Sequence, residues 1–276
     1  MTVGAATPPF SQPADFRDES DALYGLMSTL NDDDFNRATR FKLWTIGEII
    51  THLHVWNWAV EQALVDEQAL IRLVADYLSQ RERVTLRDFE KRWVGPLRGR
   101  QLLEVWRLQY QRAADRFQDV DPRMRTKWFG PDMSARSNIT ARLMETWAHG
   151  QAIYDLLGVE RIDTDRIRNV AVLGVNTFQW TFTTHQQPLP SVRPYVCLTA
   201  PSGALWTWNE ASRIDLIEGS ATEFCQVVTQ VRNIADTRLK VRGESARNWM
   251  RIAQCFAGLP ETPPAPGERF REGTAS

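Results

Sequence analysis

The sequence predicts a mainly α chain, a helical bundle followed by a small α+β domain. Three observations carry this. From Phe16 to about His185 nearly every window places apolar residues at helical spacing. The proline-bearing stretch HQQPLPSVRP then interrupts the pattern. Beyond it, short β-type runs alternate with short helical ones. The chain has 276 residues, 43% of them hydrophobic and 24% charged, enough to bury a sizeable core.

Residues 1–15 hold three prolines and read as a flexible tail. DESDALYGLMSTL carries an apolar stripe at Leu23, Leu26 and Leu30. In WTIGEIITHLHVWNWAVEQAL, Thr45 and Glu48 form a capping box, which starts a helix at about Ile46. LLEVWRLQYQRAADRF aligns Leu103, Trp106, Tyr110 and Phe117 on one face. SNITARLMETWAHGQAIYDLLG stops at Gly158, a natural helix terminator, and TDRIRNVAVLGVNTFQWTF reads as one further helix. Several long amphipathic helices without early strands make a bundle over residues 16–185. A linker follows at 186–193. Residues 194–258 form the α+β domain, with a hairpin turning at Pro201-Ser202-Gly203 and a second capping box at Ser220 and Glu223. The proline-, glycine- and charge-rich residues 259–276 read as a second flexible tail.

Charge and cysteine usage exclude several classes. The 33 Lys and Arg balance 34 Asp and Glu, so nothing calls for a nucleic-acid or anionic-membrane partner. The basic stretch RERVTLRDFEKR has interspersed acids and reads as a solvated helix face. Cys197, Cys225 and Cys255 match no disulfide framework and no Cys-x-x-Cys site. The amino terminus lacks a signal-peptide pattern, and no apolar run has transmembrane length. The expectation is a reduced, cytoplasmic monomer or homodimer acting on a small-molecule substrate.

The chemistry-bearing stretch is LMETWAHGQ. Glu145 and His149 are four residues apart, so on a helix they share a face and can grip one divalent cation. A facing helix must supply the third donor, and it offers His52 and His54. Two helical positions lie about 200° apart, so only one faces inward. His52 lies in the stripe of Ile49, Leu53 and Trp56, whereas His54 shares its side with Thr51 and Asn57. The expected metal ligands are therefore His52, Glu145 and His149. Such a set leaves coordination positions open, as catalytic sites require. Zinc, nickel, iron and manganese all suit it.

WTIGEIITHL followed by ARLMETWAHG resembles the DinB-like superfamily, nearest to its mycothiol-dependent maleylpyruvate isomerase branch. Trp44, Thr45, His52 and Leu53 match the first motif, and Arg142, Glu145 and His149 match the second. The segments LTAPSGALWTW, EFCQVVTQVRNIADTRLKVRG and NWMRIAQCFAG are similar to that branch's small carboxy-terminal domain. The resemblance spans residues 16–258. It implies a DinB-like four-helix bundle with a divalent metal, commonly zinc, at its open end. It further implies a low-molecular-weight thiol such as mycothiol, used in isomerisation or S-transfer onto an electrophile. This chain departs from the pattern at Ala152, where relatives often carry an aspartate able to orient a ligand imidazole.

Two further residues are catalytic candidates. Arg142 can hold a carboxylate of substrate or thiol, or simply pair with Glu145; His185, beside the linker, is either catalytic or a surface histidine. Glu48 serves the capping box or supports His52, and Trp56, Trp147 and Tyr154 are core or pocket wall. Three functions stay open: a thiol-dependent metal enzyme, a thiol-independent one using the cation as Lewis acid, and a non-catalytic metal-binding protein.

Overall fold

The protein is described by a computed structural model covering residues 10–210 and 214–270. The bundle is built from α1 (Gln12–Met27), α2 (Ile46–Val65), α3 (Glu67–Gln80), α4 (Leu86–Val94), α5 (Gly99–Gln118) and α6 (Ala135–Leu157). Helices α1, α2, α5 and α6 are the long ones. α2 packs on α5 and α6, and α1 on α5 and α6, while the shorter α3 and α4 lie against α2. The α5 stripe read from the sequence, Leu103, Trp106, Tyr110 and Phe117, is the buried one.

The helix boundaries follow local chemistry. At the start of α2 the Thr45 hydroxyl accepts from the Glu48 amide at 3.1 Å, and the Glu48 carboxylate accepts from the Thr45 amide at 2.8 Å. That is the predicted capping box. α6 ends at Gly158, whose φ of +68° is the left-handed conformation a helix stop needs. A two-stranded ribbon, β1 (Arg125–Thr126) and β2 (Met133–Ser134), leads into α6 and has no counterpart in the sequence reading. Strands of two residues carry no periodicity to read.

After α6 come α7 (Arg168–Asn176) and α8 (Phe178–Thr184), two helices where one was expected. The break falls at Thr177, where the chain turns to ψ 13° and the hydroxyl donates back to the Leu173 carbonyl at 2.8 Å. The second domain has β3 (Tyr195–Thr199), β4 (Leu205–Trp208), β5 (Leu216–Ser220), α9 (Ala221–Val228), β6 (Lys240–Arg242) and α10 (Glu244–Ile252). The sheet order is β4-β3-β5-β6, with β3 and β5 parallel and the outer pairs antiparallel. The hairpin turns at Gly203 as the sequence indicates, with φ +87°. Ser220 does cap α9 by position, but its side chain accepts no capping hydrogen bond.

Both expected tails differ from the sequence reading. α1 begins at Gln12, because Pro13 sits in the first helical turn, where its missing N–H is no loss; residues 1–9 lie outside the described residues. Residues 259–270 are tied along the second domain. The Glu261 amide donates to Gln254 at 2.9 Å, Asn233 to the Pro264 carbonyl at 2.8 Å and the Gly267 amide to Asp236 at 2.9 Å. Backbone bonds to polar side chains leave no hydrophobic pattern in the sequence, so the composition alone suggested a tail. Residues 271–276 lie outside the described residues. No described helix is long and apolar enough to cross a membrane.

The two domains meet where α7 crosses α9. A Cβ at Gly174 would lie 2.7 Å from Val228 Cγ2, so glycine is what permits the close approach. Gly174→Ala is expected to cost about 1–3 kcal/mol through overpacking. Urea denaturation of the variant and the unsubstituted protein measures this; equal midpoints would remove the contact from the account.

Candidate metal centre

His52 projects from the second turn of α2 and Glu145 and His149 from adjacent turns of α6. Helix geometry brings the latter two together, with His149 Nε2 3.0 Å from Glu145 Oε2. Packing of α2 on α6 brings the third, with His52 Nε2 3.5 Å from the same oxygen. One donor atom from each residue lies within 4.8 Å of the others. Two ligands about 2.1 Å from a tetrahedral ion stand roughly 3.4 Å apart. The two distances to Glu145 bracket that value. Two imidazoles, once His52 has given up its extra proton, and a carboxylate also suit a divalent cation, so the residues fit one.

The cluster lies in the wall of a cavity of about 240 Å³. Phe41, Trp44, Leu86 and Met144 give it apolar walls, and Thr229, Gln230, residues 256–259, Glu261 and Thr262 close it from the second domain. The Trp44 ring lies nearly parallel to His149, with centroids 5.9 Å apart, and Phe41 meets the same imidazole edge-on at 4.9 Å. These contacts restrict the ring of His149.

His52 is held from its other side. Its Nδ1 stands 2.8 Å from Glu90 Oε1, which also accepts from Trp56 Nε1 at 2.7 Å. Glu90 is 1% exposed, in α4. With Nδ1–H donating to Glu90, Nε2 is the nitrogen that faces Glu145 and the cavity, the arrangement that carboxylates impose on metal-binding histidines. Burial pushes His52 down, but the charges and hydrogen bonds of Glu90 and Glu145 outweigh it and raise it to about 9. Burial holds His149 below its ordinary value against the opposing pull of Glu145. Burial likewise works against the charge of Glu145, but bonds from His149 and His52 hold it well below the usual carboxylate range.

The sequence reading missed Glu90, which sits inside the stretch assigned to a solvated face. A signal was present. Leu86, Phe89, Glu90, Trp93 and Val94 form an i, i+3, i+4, i+7, i+8 series, and Glu90 occupies a slot of the buried stripe. Glu48 takes the capping role, and α4 supplies its partners Lys91 and Arg87. His54 is buried away from the cluster, 6.0 Å from Trp93, and desolvation lowers it to about 4.

The two other site candidates stand apart from the cavity wall. Arg142 is 3% exposed and donates from Nε to Asn57 Oδ1 at 3.0 Å. Desolvation lowers it to about 10 against the charges of Glu145 and Glu90, so it sits behind the cluster as a counter-charge. His185 caps the end of α8, and its buried Nε2 has no hydrogen-bond partner. Neither lines the cavity. Trp147 is core, bonded to Asp163 at 2.9 Å, and Tyr154 is half-buried beneath Arg161.

The sequence profile of the mycothiol maleylpyruvate isomerase N-terminal domain matches residues 16–154, half of the chain and all three cluster residues. The chain belongs to this family. Uncharacterized proteins from two strains of Mycobacterium tuberculosis are 38% identical to it over 248 residues, 90% of this chain and 95% of theirs. In fold, this family member is similar to the crystal structure of a mutant of the mycothiol-dependent maleylpyruvate isomerase. The TM-score is 0.51 at 13% identity, over 82% of this chain and 91% of the other. The likeness extends past the matched domain, so the bundle and the appended α+β domain occur together in both.

Two outcomes follow from the electrostatics. A proton on His52 Nε2 must leave before that nitrogen can ligate, while His149 is already neutral at pH 7. Metal binding to the family member should therefore release about one proton near neutral pH, and affinity should rise about tenfold per pH unit up to about pH 9. Calorimetric titration in buffers of different ionisation enthalpy counts the proton. Glu90→Gln should weaken metal binding about 10–100-fold, read by competition with a chromogenic chelator. Unchanged affinity would confine Glu90 to packing.

Proposed function

We propose that this protein is a metal-dependent enzyme that uses a low-molecular-weight thiol, mycothiol or a close analogue, for isomerisation or S-transfer on a small electrophile. The observation that carries the reading is the convergence of His52, Glu145 and His149 at the wall of an open cavity large enough for a small molecule. Three protein donors leave further coordination positions for a ligand. Membership of the mycothiol maleylpyruvate isomerase family supports the thiol and the isomerase class.

A divalent cation held by His52, Glu145 and His149 would supply Lewis acidity able to lower the pKa of a bound thiol toward neutrality. The chain's own residues do the rest. Glu90 fixes the His52 tautomer, keeping the Nε2 lone pair directed at the site. Trp44 and Phe41 hold the His149 ring and shield the centre from bulk water. Arg142 offsets the buried negative charge of Glu145 and Glu90 without entering the cavity. Lys42 and Glu261, paired at 2.9 Å, join the bundle to the second domain across the cavity wall. His185 has no role in this arrangement.

The alternatives separate on measurement. Metal analysis should find a bound divalent cation in the purified protein and its loss in both His52→Ala and His149→Ala; retention in either removes that residue from the site. Turnover of maleylpyruvate or another electrophile should require mycothiol. Turnover without thiol would support a Lewis-acid enzyme instead. Absence of turnover, together with no thermal stabilisation by any thiol or electrophile tested, would leave a metal-binding protein.

A further inference from the structure

The cavity wall contains a guanidinium that has no carboxylate at ion-pair distance among the described residues, with Glu268 and Glu261 acting on it only from farther away. Arg269, on the carboxy-terminal stretch tied along the second domain, lines the metal cavity. It also lines an adjoining void of about 20 Å³, which shares Phe41, Ala148 and Val231 with the cavity and adds Arg40 and Arg232. The neighbouring acids are engaged elsewhere. Asp155 holds Arg232 at 2.7 Å, Glu261 holds Lys42 at 2.9 Å, and Glu268 accepts from the Ala265 amide at 2.7 Å. Among the described residues no carboxylate lies within ion-pair distance of Arg269.

The guanidinium is positioned rather than loose. Its Nη1 donates to the Gln230 carbonyl at 2.9 Å, and its Cζ lies over the Phe41 ring, 5.0 Å from the centroid. Its Nε is buried with no acceptor. A side chain serving only to tie the terminus to Gln230 needs one donor, and burying a second without a partner costs free energy. Nε and Nη2 form the edge of the guanidinium that takes a carboxylate in two parallel bonds.

We propose that Arg269 is a specificity-determining residue of the metal cavity, recognising a carboxylate on the small molecule that binds there. This rests on reading the cavity as the substrate site. The charge count favours a carboxylate over a phosphoryl group. Among the described residues one guanidinium lacks a direct ion pair; Arg232 is neutralised by Asp155, and Arg40 is exposed, where water screens it. Arg142, the arginine that the sequence marked for this task, is bonded to Asn57 away from the cavity. Anion recognition thus comes from the carboxy-terminal stretch, and the bundle supplies the metal ligands.

Calorimetric titration of the full-length, metal-loaded protein with succinate, its neutral analogue succinamide and inorganic phosphate tests the proposal. The unsubstituted protein should bind succinate at least about tenfold more tightly than succinamide. Arg269→Gln should abolish that preference, and Arg269→Lys, which keeps the charge and a donor for Gln230 but loses the fork, should retain part of it. Metal content measured in the same samples should be unchanged by either substitution. Equal binding of succinate and succinamide by the unsubstituted protein, or an undiminished preference in Arg269→Gln, overturns the proposal. Phosphate bound more tightly than succinate overturns the carboxylate assignment. An unsubstituted protein that holds no metal would instead overturn the metal centre, a separate result.

Discussion

The carboxylate of Glu145, held between two imidazoles at the cavity wall and mostly withdrawn from solvent, is the constraint on which the site depends. A buried charge is tolerated only when it is paired and hydrogen-bonded. Here the pairing reaches through several elements. His149 comes from the next turn of the same helix, His52 from α2, Glu90 behind His52 from α4, and Arg142 with Asn57 closes the set. With His52 protonated, two carboxylates face an imidazolium and a guanidinium, so the buried set is neutral. A dication that displaces the His52 proton leaves one net positive charge, which favours an anionic fourth ligand. A thiolate has that character.

The architecture divides labour between the domains. The bundle positions the donors, because helices hold side chains at fixed spacing and the capping box fixes where α2 begins. The α+β domain contributes walls. The turn after α9 brings Thr229, Gln230 and Val231 to the cavity, and the stretch beyond α10 folds back across it. Gly174 and the pair Asp155–Arg232 hold that domain against the bundle. Residues on helices thus keep a fixed spacing, while the facing wall is made of loop segments.

Position 152 is alanine, so this turn of α6 offers His149 no acid. An aspartate there would lie near His149 on the same helix. This chain instead restrains His149 by ring packing against Trp44 and Phe41, and places its orienting carboxylate, Glu90, on the other histidine. Ala152 lines the small void beside Arg232 and Arg269, where an added acid would compete for those guanidinium groups.

By itself the sequence determined the helical bundle, the α+β domain after it, the start of α2, the end of α6 and the three residues that converge at the cavity wall. Each depends on contacts within a few residues or on a helical period, which a linear pattern records. The break at Thr177, the anchoring of residues 259–270, the burial of Glu90, the removal of Arg142 and His185 from the cavity and the approach of Arg269 were decided by the tertiary structure. These depend on which surfaces meet after the chain has folded back over a hundred residues or more, or on single polar bonds that leave no periodicity. A lone charged residue in a string of charges looks solvated until the packing shows what covers it.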